Sequence, residues 1–316
     1  MKKFILTFLL LTPLALFAQS ARPVVSGSPA AGVKQVATRP VVPSSPTATG
    51  VPPVAAPADS VETAKLDGTN LNITTDDNWS INITVKDPTE DETKYVILLP
   101  DLGKNKSSYA KLAKNLSDYG IGYVAVDLRG HGKSAFPLHY LKFSKTGIDN
   151  QFNKMYKDVN AAVNYLKNKK VKPENIFILG SGLGANVAAA SIVFNNDIGG
   201  VALISPTSNT RDVLAIPGVK VSKMPLLIAA APDNKKLFLE ASLIRNIAFL
   251  QQGPGRITFL TAYDQDGTDM IDAYLVPNII AWVKVPAFPG VKEDSVNAPA
   301  ADAAAPPPAA DVNSIL

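Results

Sequence analysis

Residues 176–185 read Ile176-Phe-Ile-Leu-Gly-Ser-Gly-Leu-Gly-Ala185, and this stretch decides the fold. Ile176 to Leu179 is a short, continuous apolar run, the pattern of a strand buried on both faces. Gly180, Gly182 and Gly184 follow, and glycine adopts turn conformations that a side chain forbids. The alanine-rich segment from Asn186 to Phe194 then reads as a helix. A strand that turns sharply into a helix is the unit of a parallel sheet with helical crossovers.

The same alternation extends in both directions. Upstream, Leu71–Ile73 and Ile81–Val85 read as two antiparallel strands, and Tyr95–Leu99 as a buried one. A helix from about Ser107 puts Tyr109, Leu112, Ala113 and Leu116 on one face and stops at Gly120. Ile121–Val126 is the next strand. Phe152, Met155, Tyr156, Val159, Ala162, Val163 and Leu166 recur at three- and four-residue spacing, as on a long amphipathic helix. Downstream come strands at Gly200–Ile204, Pro225–Ala230 and Ile257–Ala262, with a helix around Lys235–Ile247. A last helix is expected near Asp269–Val283, kinked at Pro277. The expectation is an α/β fold: a mostly parallel eight-stranded sheet with helices on both faces. The segment between Ile204 and Pro225 is too short for a large lid.

The two ends differ in composition. Lys2 and Lys3 precede an apolar run, Phe4 to Phe17, which ends in small residues around Ala18, Ser20 and Ala21. This is the three-part pattern of a secretory signal peptide, expected over residues 1–18. The run is too short to favour a permanent span, so no transmembrane segment is expected after cleavage. Residues 19–64 and 290–316 are rich in Pro and Ala and read as flexible segments that cannot bury enough apolar surface to order themselves. The folded domain is placed at 65–289. The expected location is outside the cytoplasm, periplasmic or secreted, in a bacterium. The chain has no cysteine, which excludes disulfides, thiolate metal sites and a cysteine nucleophile. The net charge of +4 is scattered without a basic stripe, so no nucleic-acid partner is expected.

Several segments together resemble the α/β-hydrolase superfamily. Gly180-Ser-Gly-Leu-Gly184 is similar to the nucleophile elbow, G-x-S-x-G between strand and helix. Val96-Ile-Leu-Leu-Pro-Asp-Leu-Gly103 resembles the strand and oxyanion loop, with Pro100-Asp101 where His-Gly is frequent. Asp127-Leu-Arg-Gly-His-Gly-Lys-Ser134 is similar to the family's D-x-R-G-x-G-x-S turn. Leu226-Leu-Ile-Ala-Ala-Ala-Pro-Asp233 resembles the strand that delivers the triad acid, and Tyr263 to Met270 the loop that carries the triad histidine. The resemblance implies the fold of residues 66–289.

It also implies a triad, and the mapped positions fail to supply one. Gly182 stands at the nucleophile, Asp266 at the histidine and Asp233 at the acid. Acyl transfer needs a nucleophile, a base for its proton and an acid that orients the base. Glycine has nothing to attack with, and the strained elbow conformation suits it without cost. Ser181 lies one residue too early, and its side chain is expected to point away from the cleft. His131, in the Arg-Gly-His-Gly turn, is expected to hold that turn, and His139 to lie on the surface. No catalytic residues are therefore expected. The amides of Leu102 and Leu183, by their positions, form the remnant of an oxyanion hole and are the expected binding groups. The loop carboxylates Asp101, Asp233, Asp264, Asp266 and Asp269 lack an ordered ligand motif, so no metal is expected.

Gly180-Ser-Gly-Leu-Gly-Ala185 also satisfies the dinucleotide pattern G-x-G-x-x-A. The acidic residue required about twenty positions on is missing where the strand ends at Ser205-Pro206. The dinucleotide reading ranks last, and no cofactor is expected. The leading expectation is a non-catalytic protein that binds an unknown small molecule or envelope protein. An active esterase or peptidase-like hydrolase with relocated catalytic residues is the alternative.

Overall fold

The structure, a computed structural model, describes residues 65–89 and 93–286. The expected signal peptide, the 19–64 linker and the 290–316 tail lie outside the described residues.

The strands are β1 (Thr69–Thr74), β2 (Ser80–Lys86), β3 (Tyr95–Leu99), β4 (Gly122–Val126), β5 (Ile176–Ser181) and β6 (Gly200–Ile204). They continue with β7 (Asn209–Thr210), β8 (Val213–Leu214), β9 (Leu226–Ala230) and β10 (Ile257–Thr261). The helices are α1 (Ala110–Asp118), α2 (Tyr156–Asn168), α3 (Leu183–Ser191), α4 (Ile216–Val221), α5 (Lys235–Gln252), α6 (Gly267–Met270) and α7 (Val276–Lys284). Eight strands form one sheet in the order β1-β2-β4-β3-β5-β6-β9-β10. β1 and β2 run antiparallel, β2 meets β4 antiparallel, and every pairing from β4 to β10 is parallel. This is the α/β-hydrolase arrangement that the sequence resemblance implies.

The continuous apolar runs explain the burial. All residues of β3, β4, β5, β6 and β9 are buried, because helices cover both faces. The sheet divides two cores. One packs α2, α3 and α5 side chains such as Val159, Val187 and Ile244 against Ile97, Ile178 and Ile228. The other packs α1 and α7 side chains such as Leu112, Leu116 and Ile279 against Leu98, Leu179 and Leu227.

Three local details differ from the sequence expectation. The helix after the glycine turn begins at Leu183 rather than Asn186, because the turn closes within Gly182 alone. The last helix is not one kinked rod. A π-helical segment, Ile271–Leu275, joins α6 to α7, and Pro277 sits in the first turn of α7, where its missing N–H costs nothing. Residues 205–224 also hold more structure than expected, the small β7–β8 hairpin and α4. Asn186 fixes this segment, donating to the carbonyls of Thr207 and Val213 and accepting from the Thr207 amide.

A buried charge network holds the front of the sheet. The Arg129 side chain is fully buried and donates to Asp158 at 2.8 Å and to Asp77 at 2.8 and 3.0 Å. Asp158 lies on α2 and Asp77 in the β1–β2 turn, so one guanidinium ties three distant segments together.

Candidate functional site

The elbow forms as its sequence dictates. Gly182 has φ +53 and ψ −117, a conformation that residues bearing a side chain seldom adopt. The flanking glycines are required by contact. A Cβ on Gly180 would lie 2.1 Å from the Gly184 carbonyl oxygen, and one on Gly184 would lie 2.1 Å from that of Leu99. The helix therefore packs directly onto the strand and points its N-terminus at a cleft.

Asp101 lines that cleft beside Gly182. Its Oδ1 accepts the Leu102 amide at 2.6 Å and the Leu183 amide at 2.7 Å. These are the two amides singled out as the oxyanion-hole remnant. They converge on one point, and a carboxylate of the chain itself holds that point. The same carboxylate fills the space of any side chain at position 182, because a Cβ on Gly182 would lie 2.1 Å from Asp101 Oδ1. The α3 N-terminus stabilises the negative charge, as helix N-termini do.

Asp127 anchors the loop that carries Asp101. Its two oxygens accept the Lys106 amide at 2.8 Å and the Lys133 amide at 2.9 Å, bridging the loop to the Arg-Gly-His-Gly turn. The Lys106 ammonium is buried between the Asn82 side chain and Asp127, 3.8 Å from Asp127 Oδ2, and burial lowers its pKa.

The cleft has a volume of about 440 Å³. Its walls include Lys104, Ser205, Thr207, Leu237, Asp266 and Asp269. Of the three triad-equivalent positions, Gly182 and Asp266 line it. Asp233 lines a neighbouring cavity of about 590 Å³, which Asp266 also borders. Asp233 and Asp266 are engaged separately. Asp233 accepts the Asp264 amide at 3.0 Å, and Asp266 accepts the Asn234 side-chain amide at 2.9 Å.

Neither histidine serves a cleft hydroxyl. His131 is buried, its Nδ1 lies 3.0 Å from the Arg129 carbonyl, and its ring stacks on Tyr140 with centroids 4.3 Å apart. Its Nε2 has no hydrogen-bond partner among the described residues, and burial lowers the pKa of the ring. His139 is exposed and accepts only the Leu141 amide, at 3.3 Å. Ser181 is fully buried behind the elbow, 3.1 Å from the Tyr109 hydroxyl, which donates to the Leu99 carbonyl at 2.8 Å. Burial pushes that phenol up and keeps it neutral.

Ser205 is a cleft hydroxyl that the sequence alone does not mark. It is buried at the end of β6, lines the cleft and has φ +51. Its Oγ accepts the Gly267 amide at 3.0 Å. A serine directly after a buried strand gives no sequence signal of its own. For Asp101 the sequence offers only Pro100-Asp101 in place of a pair that is often His-Gly in related loops, and nothing that joins it to Leu183. Among the described residues no group of three or more His, Asp or Glu side chains is placed to hold a metal ion, and no helix is long and apolar enough to cross a membrane.

Residues 90–256 match the family described as serine aminopeptidase, S33. No curated protein matches the chain. Among solved structures, an esterase from Pyrococcus furiosus is 18% identical, with a TM-score of 0.56 over 71% of this chain and 94% of that one. An esterase from Exiguobacterium antarcticum is 13% identical, with a TM-score of 0.53 over 68% of this chain and 100% of that one. A dienelactone hydrolase from Anabaena variabilis is 10% identical, with a TM-score of 0.55 over 68% and 94%. At these identities the likeness is one of fold.

Proposed function

We propose, from the premise that this chain belongs to the serine aminopeptidase S33 family of α/β-hydrolases, that it has lost the family's chemistry and acts by binding. One observation carries this reading. The Asp101 carboxylate sits on both oxyanion-hole amides and in the space that a nucleophile at position 182 would need. Oxyanion-hole donors act on charge that develops in the transition state. Donors already satisfied by a fixed anion offer nothing to a developing one. In this reading the protein is exported, residues 19–64 and 290–316 flank the domain, and the cleft takes a small molecule or a segment of an envelope protein. Leu102 and Leu183 then hold Asp101 in place as part of that surface.

The second reading, an active hydrolase with relocated residues, draws support from the esterase neighbours and from Ser205. Ser205 has a positive φ, and residues held in such conformations cluster at functional sites. Against it, no histidine is hydrogen-bonded to Ser205 among the described residues, and Asp101 blocks the hole. Dinucleotide binding ranks below both, because its phosphate would have to displace a carboxylate from the α3 N-terminus.

Fluorophosphonate labelling of the folded protein, with the modified residue mapped by mass spectrometry, tests the choice. The binding reading predicts no labelling beside a labelled control hydrolase. Stoichiometric labelling at one serine, abolished by its alanine variant, would establish the second reading.

A further inference from the structure

We propose that the outer edge of β10 docks a second copy of this chain. Among the described residues β10 pairs with β9 on one side only, so it forms one edge of the sheet. An edge strand presents unpaired N–H and C=O groups, and proteins protect such edges with charge, proline, bulges or cover. The two edges here differ. The opposite edge, β1, is largely exposed and carries Thr69, Asn70, Asn72 and Thr74. β10 reads Ile-Thr-Phe-Leu-Thr, with no charge, no proline and no glycine. Its Ile257, Phe259 and Leu260 remain half-buried, whereas the interior strands are wholly buried.

Charge selects the occupant. At its N-terminal end the strand is flanked by Arg256 and Lys223, both exposed, with the Arg256 guanidinium on the Lys223 carbonyl. At its C-terminal end stand the exposed Asp264, Asp266 and Asp233. A strand that is basic at one end and acidic at the other is complementary to itself when antiparallel. A twofold pair centred on Phe259 sets Ile257 of one copy opposite Thr261 of the other. That pairing brings the Arg256 turn before one strand beside the Asp264 bend after the other. The contact is isologous, closes as a dimer and joins the two eight-stranded sheets into one. The acidic end of β10 adjoins the cleft, which Asp266 lines, but the pairing uses the strand's edge and does not depend on whether the cleft is catalytic.

Sedimentation velocity of the full chain at micromolar concentrations tests this. The expected result is a dimer that weakens with added salt. Arg256→Asp and Asp264→Arg should each weaken it at least roughly tenfold, since each reverses two symmetric pairs. The two changes together should restore it. Thr261→Lys, at an exposed strand position, should give a monomer with an unchanged circular dichroism spectrum and melting point. A wild-type monomer at these concentrations overturns the proposal. So does a dimer indifferent to all three substitutions.

Discussion

The carboxylate of Asp101 stands where the side chain of residue 182 would begin. A Cβ built on Gly182 falls 2.1 Å from Asp101 Oδ1, closer than two such atoms can approach. The glycine and the aspartate therefore make one feature. The absent side chain leaves the space, and Asp101 fills it while accepting two amides 81 positions apart in the chain, those of Leu102 and Leu183. A side chain added at position 182 would therefore meet Asp101.

Gly182→Ser should lose roughly 1–3 kcal/mol from backbone strain, with an added cost for expelling Asp101. Asp101→Ala made in the same chain should recover part of that loss. Chemical denaturation of the four forms gives the coupling between the two positions, expected at about 0.5–3 kcal/mol. Additive effects would mean that the two side chains do not share the space.

Ser181→Ala should cost about 1 kcal/mol, the usual worth of one hydrogen bond, here with Tyr109. Reactivity toward fluorophosphonates should not change. Labelling of the wild type that this substitution abolishes would give Ser181 a chemical role that its burial argues against.

Arg129→Ala removes the buried cation that Asp158 and Asp77 share. Breaking a buried ion pair from one side costs about 3–5 kcal/mol, because the remaining charge has no partner. The urea midpoint should fall accordingly. A change below about 1 kcal/mol, the range of exposed pairs, would contradict the network.

Asp77 gives the acid limb of stability. Burial raises its pKa, but hydrogen bonds from Arg129 and Thr75 outweigh burial and hold it at about 2, below the ordinary 3.8. The folded state therefore binds this proton less readily than the unfolded chain. The stabilisation is complete above about pH 4 and disappears as the pH falls through about 2. The stability difference between wild type and Asp77→Asn should shrink over that window. A constant difference would show that Asp77 does not titrate with folding.

The fold was legible because its signals are local. The apolar runs at Tyr95–Leu99, Ile176–Leu179 and Gly200–Ile204 are buried strands wherever the chain takes them, and Gly182 marks the elbow by its own backbone. The glycine at the nucleophile-equivalent position was legible for the same reason. The occupant of its space was not. Asp101 reads as one loop carboxylate among several, and only the folded chain brings it to Leu183. Lys106 was equally silent, since a lysine on the sequence looks solvated until Asn82 and Asp127 enclose it. The β7–β8 hairpin depends on Asn186, which lies on a different element. In the last helix, local rules marked Pro277 as a disturbance, and the structure resolves it as a π-helical turn before α7.

The most direct test of the account is amide hydrogen exchange at Leu102 and Leu183, followed by NMR in wild type and in Asp101→Ala. If the Asp101 carboxylate fills the oxyanion hole, both amides exchange slowly in wild type. Both should accelerate by orders of magnitude in the variant, while the amides of β5 stay protected. Fast exchange of both in wild type, or rates unmoved by the substitution, would show that the hole stands open and contradict the account.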